Sequence, residues 1–548
     1  MNERIARRSL LGAGLASSAL ALAGCVREAA EIPGGWAGAA VDRGHRLREP
    51  AGATDAGAPA RRCAVAIVGG GIAGLAAARA LTRSGVDDFR LFELEDRPGG
   101  NARGHTMAGL RCPLGAHYLP LPGPEAREVS ELLHELGIAR SAFGRTVYDE
   151  RQLVHAPQER VFVREAGTDG AAAGRWHEGL LPLEGASAAT LAQLRRFAAE
   201  LRGVQAELSF AMPTLRSRWS PGLAALDAQS FAAWLAARGY DDPLLLGHLD
   251  YACRDDYGAG TAMVSAWAGL HYFASRHGFH APGEDDGGGS DGVLTWPEGN
   301  AHLAERLAAT LGDRLLAGRL VTRIAPARRE VELHARQAGE GRTERWVARR
   351  VIVAAPLFVA ARIVDPLPAP LAALLPRLQY APWLVTNLQL RAPLADRLLG
   401  APPAWDNVIA GSAALGYVDA QHQALRSVPG PTVLTHYWAL GGHSVQELRA
   451  QRARLLDAPW PHWRDAVLSD LAAAHPDIAA KTARIDSTRY GHAMLLPRPG
   501  LRGSAALAAL AEPVGRLQFA HADLSGYSVF EEAFTRGHLA GMQAAAIL

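Results

Sequence analysis

The stretch that most restricts what this chain can become is residues 62–100, RCAVAIVGGGIAGLAAARALTRSGVDDFRLFELEDRPGG. Cys63 to Val68 is apolar and rich in β-branched residues, the composition of a strand buried on both faces. It runs into Gly69-Gly70-Gly71-Ile72-Ala73-Gly74, after which the Ala/Leu-rich run from Leu75 to Thr82 predicts a helix. A second strand, Phe89 to Phe92, ends at Glu93. In such a strand–turn–helix Gly69 allows the tight turn, Gly71 admits backbone to a pyrophosphate, and Gly74 lets helix and strand pack closely. The N–H groups at the helix start, around Ile72 and Ala73, are free to meet phosphate oxygens. Glu93, nineteen residues past Gly74, is placed to accept hydrogen bonds from an adenosine ribose. Strand, glycines, helix, strand and acid in this order predict a dinucleotide site in an α/β fold.

Asp96-Arg97-Pro98-Gly99-Gly100-Asn101-Ala102-Arg103 follows at once, and its glycine pair suits a second close approach of backbone to the ligand. This run resembles the flavin-containing amine oxidase superfamily, whose proteins carry an acid and then R-x-G-G-R or a variant just after the first βαβ unit. The resemblance implies FAD, bound by a Rossmann-like domain of glutathione-reductase type with an inserted α+β substrate domain. Asn101 stands where that family most often has Arg, so Arg97 and Arg103 become the candidates for phosphate or flavin contact beside Gly99 and Gly100.

The C-terminal run carries a second likeness. Gly515 to Asp523 reads as a strand ending in an acid, and Gly526-Tyr527-Ser528-Val529-Phe530 leads into a final helix from Ala533 to Leu548. It is similar to the family's closing motif, which implies that Asp523 bonds the ribityl or pyrophosphate region. The helix start near Val529 would then face the flavin pyrimidine. The resemblance also implies an adenine contact at Val321, in the strand Arg319–Ile324. Gly109 to Tyr118 sits where the family has a G-x-x-x-D-x-G turn beside the flavin; Pro113 replaces the Asp and Gly115 keeps its place. His117 and Tyr118 would then face the isoalloxazine or the substrate, and with Tyr490 and His492 they are the candidate catalytic groups. Trp296, Trp383, His436, Tyr437 and Trp438 are further aromatic or imidazole groups expected at a cavity.

The 548 residues suffice for two or more domains. Residues 62–120, 295–365 and 501–548 are expected to form a discontinuous FAD-binding domain, and residues 121–294 and 366–500 the substrate domain. Helical spacing marks Glu125–Leu136, Ala188–Phe210, Ser230–Arg238 and Ala262–Arg276. Tyr251, Arg254, Asp255, Asp256 and Tyr257 form the densest polar–aromatic cluster, which suits a solvated helix end and a substrate-facing wall equally. His271, His277 and His280 have no acid or Cys at ligand spacing, and the four cysteines lack paired spacing, so no metal site or disulfide framework is indicated. Net charge is +2 with the basic residues dispersed, which leaves no nucleic-acid footprint. Lys481 is the only lysine.

Residues 1–25 read as an export signal. Arg7-Arg8-Ser9-Leu10-Leu11 looks like a twin-arginine motif, the apolar run is short for a membrane span, and Leu22-Ala23-Gly24-Cys25 looks like a lipobox. A periplasmic or cell-envelope protein, held to the membrane only through lipid on Cys25, is expected. Residues 26–61, rich in Ala, Gly, Pro and Arg without apolar period, read as a flexible tether.

The resemblance implies oxidation of a small organic substrate by hydride transfer to flavin N5, then reoxidation by oxygen, a quinone or a redox protein. An amine or polyamine is the first choice. Many family members place a Lys near N5, where this chain has Val385 or a neighbour. The alternatives are therefore a carbon–carbon desaturase resembling phytoene desaturase or protoporphyrinogen oxidase, and a flavin-bearing electron-transfer lipoprotein without turnover. A pocket of carboxylates and aromatics would favour polyamines, and a long apolar tunnel the desaturase.

Overall fold

The computed structural model describes residues 31–49, 59–164, 174–280, 283, 292–339, 342–395, 400–424 and 428–548. The export signature at 1–25 lies outside the described residues. The expected α/β fold is present, built on two large sheets.

The strand predicted from Cys63 to Val68 spans Arg61–Val68, inside a seven-stranded sheet. It pairs in parallel with Phe89–Phe92 on one side and with Thr343–Val353 on the other. Thr343–Val353 is long enough for two roles. Its first half takes the antiparallel strand Val331–Gln337, while Val351, Ile352 and Val353 take Leu517–Phe519 in parallel. The register sets Val68 beside Phe92 and Val353, and Val353 beside Phe519. Four strand ends from distant parts of the chain thus converge at the glycine turn, the crevice where open α/β sheets take ligands.

The helix Ile72–Arg83 starts from that turn and packs against the C-terminal helix Phe530–Ala546. Gly537 and Gly541, one helical turn apart, make the contact. A Cβ on Gly537 would overlap the Ala73 carbonyl oxygen, and one on Gly541 would sit 2.5 Å from that of Ala77. The absence of two side chains lets the backbones touch, which fixes the middle of the last helix against the first half of Ile72–Arg83.

The second sheet has eight strands. The fourteen-residue Thr482–Leu495 and Tyr380–Leu390 pair antiparallel as its second and third strands, followed by Thr432–Ala439, Gly416–Asp419, Asp406–Ile409, Glu159–Arg164 and Gly174–Glu178. Alternation along the strands sorts side chains to opposite faces. Leu384, Leu388, Leu434 and Ile485 pack on Trp463, Val467 and Leu471, whereas Trp383, Val385 and Tyr437 enter a separate cluster on the other face.

Five helices, Ala188–Glu207, Pro221–Asp227, Phe231–Ala237, Pro243–Tyr257 and Ala266–Tyr272, share a core of Phe197, Phe231, Trp234, Leu249 and Trp267. Each begins at a Ser or Asp (Ser187, Ser220, Ser230, Asp242, Ser265) whose side chain accepts a backbone N–H from the first turn. The predicted helix 262–276 is shorter, and gives way after Tyr272 to a π-helical turn, Phe273–His277.

Residues 26–61 are not a tether over 31–49. Gly34–Trp36 adds a parallel edge strand against Ile485, Asp486 and Ser487, and Val41–His45 is a short helix. A three-residue edge strand is held by backbone bonds, so it leaves no apolar period in the sequence. The Trp36 ring supplies the side-chain anchor, with the Arg489 guanidinium 4.6 Å from its centre. No helix among the described residues is long and apolar enough to cross a membrane.

Candidate active site

A cavity of about 600 Å³ opens at the converging strand ends, with the glycine turn as one wall. Gly71 lines it, and a Cβ there would find no neighbour nearer than the Gly100 Cα at 3.9 Å, so the missing side chain leaves room to the cavity. Gly74 has the opposite reason: a Cβ would overlap the Gly69 carbonyl oxygen. The second glycine pair lies against the first, the Gly99 N–H donating to the Gly70 oxygen at 2.8 Å. Gly99 and Gly100 adopt φ of 128° and 59°, which glycine tolerates best.

Glu93 lines the cavity and braces both loops. Its Oε2 accepts the Gly70 N–H and its Oε1 the Glu95 N–H, each at 2.7 Å. Burial raises its pKa, opposed by those two N–H groups. Each oxygen keeps a lone pair for a ribose hydroxyl. Val321 also lines the cavity, beside a β-bulge that leaves Thr322 out of the ladder.

Asp523 closes the far side, fully buried. Its Oδ2 accepts the Leu357 N–H at 2.8 Å and the Tyr380 hydroxyl at 2.6 Å. Its Oδ1 is buried without a donor. His521 Nδ1 lies 3.1 Å from that oxygen, but it accepts the Asp523 N–H and so has no proton to give. Ser528, Val529 and Phe530 line the cavity at the start of the last helix, which has no side-chain cap. The acids of that first turn are engaged elsewhere, Glu531 with Arg276 and Glu532 with the Thr214 N–H and the Ser525 hydroxyl.

These features fit a flavin dinucleotide: a side-chain-free cradle, a ribose acid, an unsatisfied buried oxygen and an uncapped helix start. The lining holds Arg48, Arg103, Arg319, Arg362 and Arg489 against Glu93, Glu95 and Asp523, a surplus of positive charge suited to a diphosphate. Arg97, expected among them, is exposed and lies off the cavity wall. The turn at Pro98 carries it outward, while Arg103 returns with its Nε donating to the Gly100 oxygen at 3.0 Å. Asn101 lines the cavity and its amide donates to the Ala493 oxygen at 2.8 Å, so it joins two cavity walls.

Of the candidate catalytic groups, Tyr490 and His492 line this cavity. The Tyr490 hydroxyl donates to the Leu114 oxygen at 2.8 Å, and the His492 ring stacks on Phe358 at 4.7 Å. Burial and then nearby arginines push the His492 pKa down to about 4. His117 and Tyr118 start an aromatic wall next to it, because Ala116 lines the cofactor cavity. Tyr437 stacks on His117 at 4.3 Å and donates its hydroxyl to the Gly115 oxygen at 3.0 Å. Trp405 meets both His117 (5.6 Å) and Tyr118 (6.0 Å), and His277 joins Tyr118 to Tyr272. Burial lowers the His117 pKa to about 3, so this imidazole stays neutral.

The wall ends in carboxylates. Asp255, near the C-terminus of Pro243–Tyr257, has its pKa pushed up to about 7 by burial first and by Asp256 next. Asp406 is raised by burial, then by Glu159 and Asp255. Glu159 is its register partner on the neighbouring strand. Asp255 has no hydrogen-bond or ion-pair partner among the described residues, and Asp406 accepts only the backbone N–H of Asn407. Both keep some accessible surface, although burial is the first cause of their raised pKa values. Asp256 differs, being paired with the buried Arg276.

The polar–aromatic cluster at 251–257 is split by its helix: Asp255 keeps some accessible surface, while Tyr257 turns into the core and donates to the Ala268 oxygen at 2.8 Å. Asp406, Glu159, Trp405 and Arg276 were not among the residues expected. Trp296 is no cavity residue, since its indole donates to Gln152 and its ring stacks on His302. His436 and Trp438 alternate away from Tyr437 onto the opposite face, His436 meeting Asp470 at 3.0 Å and Trp438 packing on Trp463. Lys481 pairs with Asp477 at 2.8 Å, and Val385 is 2% exposed among apolar neighbours. No group of three or more His, Cys, Asp or Glu among the described residues is arranged to hold a metal ion.

A family model described as flavin containing amine oxidoreductase matches residues 72–545. A putative flavin-containing monoamine oxidase, AofH, of Mycobacterium tuberculosis H37Rv is 43% identical over 74 residues, 14% of this chain and 15% of that protein. The chain thus spans about 15% of the length of the curated relatives of this name that it matches. Among solved structures, wild-type putrescine oxidase bound to putrescine superposes with a TM-score of 0.65 at 20% identity, over 89% of this chain and 99% of that one. Cyclohexylamine oxidase from Brevibacterium oxydans IH-35A gives 0.62 at 20% identity, over 88% and 99%. At these identities the likeness is one of fold.

Proposed function

The chain belongs to the flavin-containing amine oxidoreductase family and takes FAD as its cofactor, and from that premise we propose that it oxidises a diamine or polyamine. The observation that carries this reading is the pair Asp255 and Asp406, two carboxyls without an ion pair among the described residues, at the end of an aromatic wall that begins beside the cofactor cavity. Bound FAD supplies a hydride acceptor at N5. The protein's own groups do the rest. Asp255 and Asp406 hold a distal ammonium, and Tyr251, Tyr272 and Tyr118 line the path that a flexible cationic chain follows. Around His117 burial is the dominant influence, and such dry surroundings favour the neutral form of the amine that reacts. The carboxylates weigh against the desaturase reading, for which an apolar tunnel is expected.

The test is anaerobic bleaching of the flavin absorbance by putrescine and spermidine, set against n-butylamine and a polyene. Faster bleaching by the multiply charged amines supports the assignment. Bleaching by the polyene alone refutes it. Reoxidation is by oxygen, a quinone or a redox protein; Val385, apolar where resembling proteins have lysine, weighs toward the last two. Oxygen uptake compared with reduction of a soluble quinone separates them. We further propose twin-arginine export and a lipid anchor at Cys25, so Cys25→Ala should move the protein from the envelope membrane fraction to the soluble periplasmic one.

A further inference from the structure

We propose that residues 39–48 are a working part of the FAD site, forming an outer wall that must detach before the cofactor can leave. The segment precedes the residues that the family model matches, 72–545. Ala39, Ala40, Val41, His45, Leu47 and Arg48 nevertheless line the same cavity as the glycine turn and Glu93.

Its anchors lie on both sides of that cavity. On one side Gly34–Trp36 pairs with Ile485, Asp486 and Ser487, the Ala37 N–H donates to the Ser487 oxygen at 2.8 Å, and Trp36 carries Arg489. On the other side the loop that follows the ribose acid holds the segment. The Ala40 N–H donates to the two oxygens of Glu95 at 2.9 and 3.2 Å, and Arg43 forks onto Asp96 at 2.8 and 3.1 Å and reaches the Leu94 oxygen at 3.2 Å. The segment therefore spans from the substrate-side sheet to residues 94–96, across the mouth of the site. Arg48 brings a cation to the cavity and has no ion pair among the described residues, so a diphosphate would supply its partner. FAD and the segment stabilise each other by reciprocity: what the segment adds to FAD affinity, FAD adds to segment closure.

The proposal needs FAD in the cavity and is independent of the substrate. It is tested on the full-length holoprotein by following flavin fluorescence after dilution. In Ala40→Pro/Arg43→Ala, which removes the bonds to Glu95 and Asp96, FAD should leave at least tenfold faster than from wild type. Trypsin should cut at Arg43, Arg46 and Arg48 faster in apoprotein than in holoprotein. Far-UV circular dichroism checks the fold of the variant. Should it fail, a specific protease site placed within residues 50–58 is cut in the folded wild-type holoprotein and the N-terminal fragment washed away, with the same acceleration expected. Unchanged FAD loss in the folded variant or the cut protein, or tryptic cleavage indifferent to FAD, overturns the proposal.

Discussion

Replacing Asp255 by Asn keeps the shape of the side chain and removes its charge, and the structure gives the sign of two opposite effects. In the folded chain this carboxyl titrates near 7, against an ordinary value of 3.8. Below about pH 3 it is protonated in the folded and unfolded states alike and contributes no difference, and at pH 4 the difference is still small. As pH rises from about 4 to 7 the unfolded chain gives up the proton first, so folding loses free energy across that window. Above pH 7 the loss is complete and amounts to about 2–4 kcal/mol, part of it shared with Asp406 and Glu159. Asp255→Asn should therefore raise the melting temperature at pH 8 by about 2–4 °C, given an unfolding entropy on the order of 1 kcal/mol/K for a chain this long, and leave it nearly unchanged at pH 4. The same substitution takes away a charged partner of the distal ammonium. Losing such a contact in a dry site costs about 2–3 kcal/mol, or roughly 30–150-fold in kcat/KM for a diamine, while a monoamine that never reaches the carboxylates changes little. Calorimetric scans at pH 4 and 8, with stopped-flow flavin reduction by putrescine and butylamine, measure both. A lower melting temperature at pH 8, or equal losses for the two amines, would refute the reasoning, because it would make Asp255 a structural carboxylate.

In wild type, kcat/KM for a diamine should rise as pH passes through about 7, where Asp255 ionises, and that step should vanish in Asp255→Asn. Glu93→Ala leaves two backbone N–H groups without their acceptor and deletes the ribose partner, so FAD affinity should fall by about 10–100-fold, measured by ultrafiltration of free flavin. Gly537→Ala forces a Cβ into the Ala73 carbonyl and should cost about 3 kcal/mol or more, read as lost yield of folded holoprotein. Gly203→Ala, in the helix Ala188–Glu207 with open space at the new Cβ, should stabilise by about 0.5–1 kcal/mol.

The cofactor half of the molecule was legible because its demands are local. A turn without side chains, a helix start and an acid at the end of the next strand lie within about forty residues, and the bonds from Glu93 to Gly70 and Glu95 stay inside that stretch. The C-terminal acid was legible for the same reason, at the end of a strand just before a helix. Arg97 went astray because a count along the chain cannot tell which side of the Pro98 turn a side chain leaves from. The helix Pro243–Tyr257 was missed because Leu244 and Leu246 flank the buried Leu245 and an acid, Asp256, sits on its buried face, which blurs the apolar stripe, although Asp242-Pro243, a capping acid before a first-turn proline, was there to be seen.

The substrate side resists such reading for a physical reason. Asp406 opens a four-residue strand and takes its meaning from Glu159, its register partner 247 residues away, and from Asp255, delivered by a helix between them. No local pattern encodes a pairing of that kind, and strand alternation divides neighbours, sending Tyr437 toward the cofactor side and His436 toward Asp470. The signal is energetic instead. Burying Asp255 and Asp406 without an ion pair among the described residues raises both carboxyls, whereas Asp256, one residue along the same helix, is paired with Arg276, although burial still pushes it up to about 6. An acid held without an ion pair beside one that has it suits a cation that arrives from solution. If Asp255→Asn and Asp256→Asn are compared at pH 8, the first should stabilise the apoprotein more than the second, which also strands Arg276.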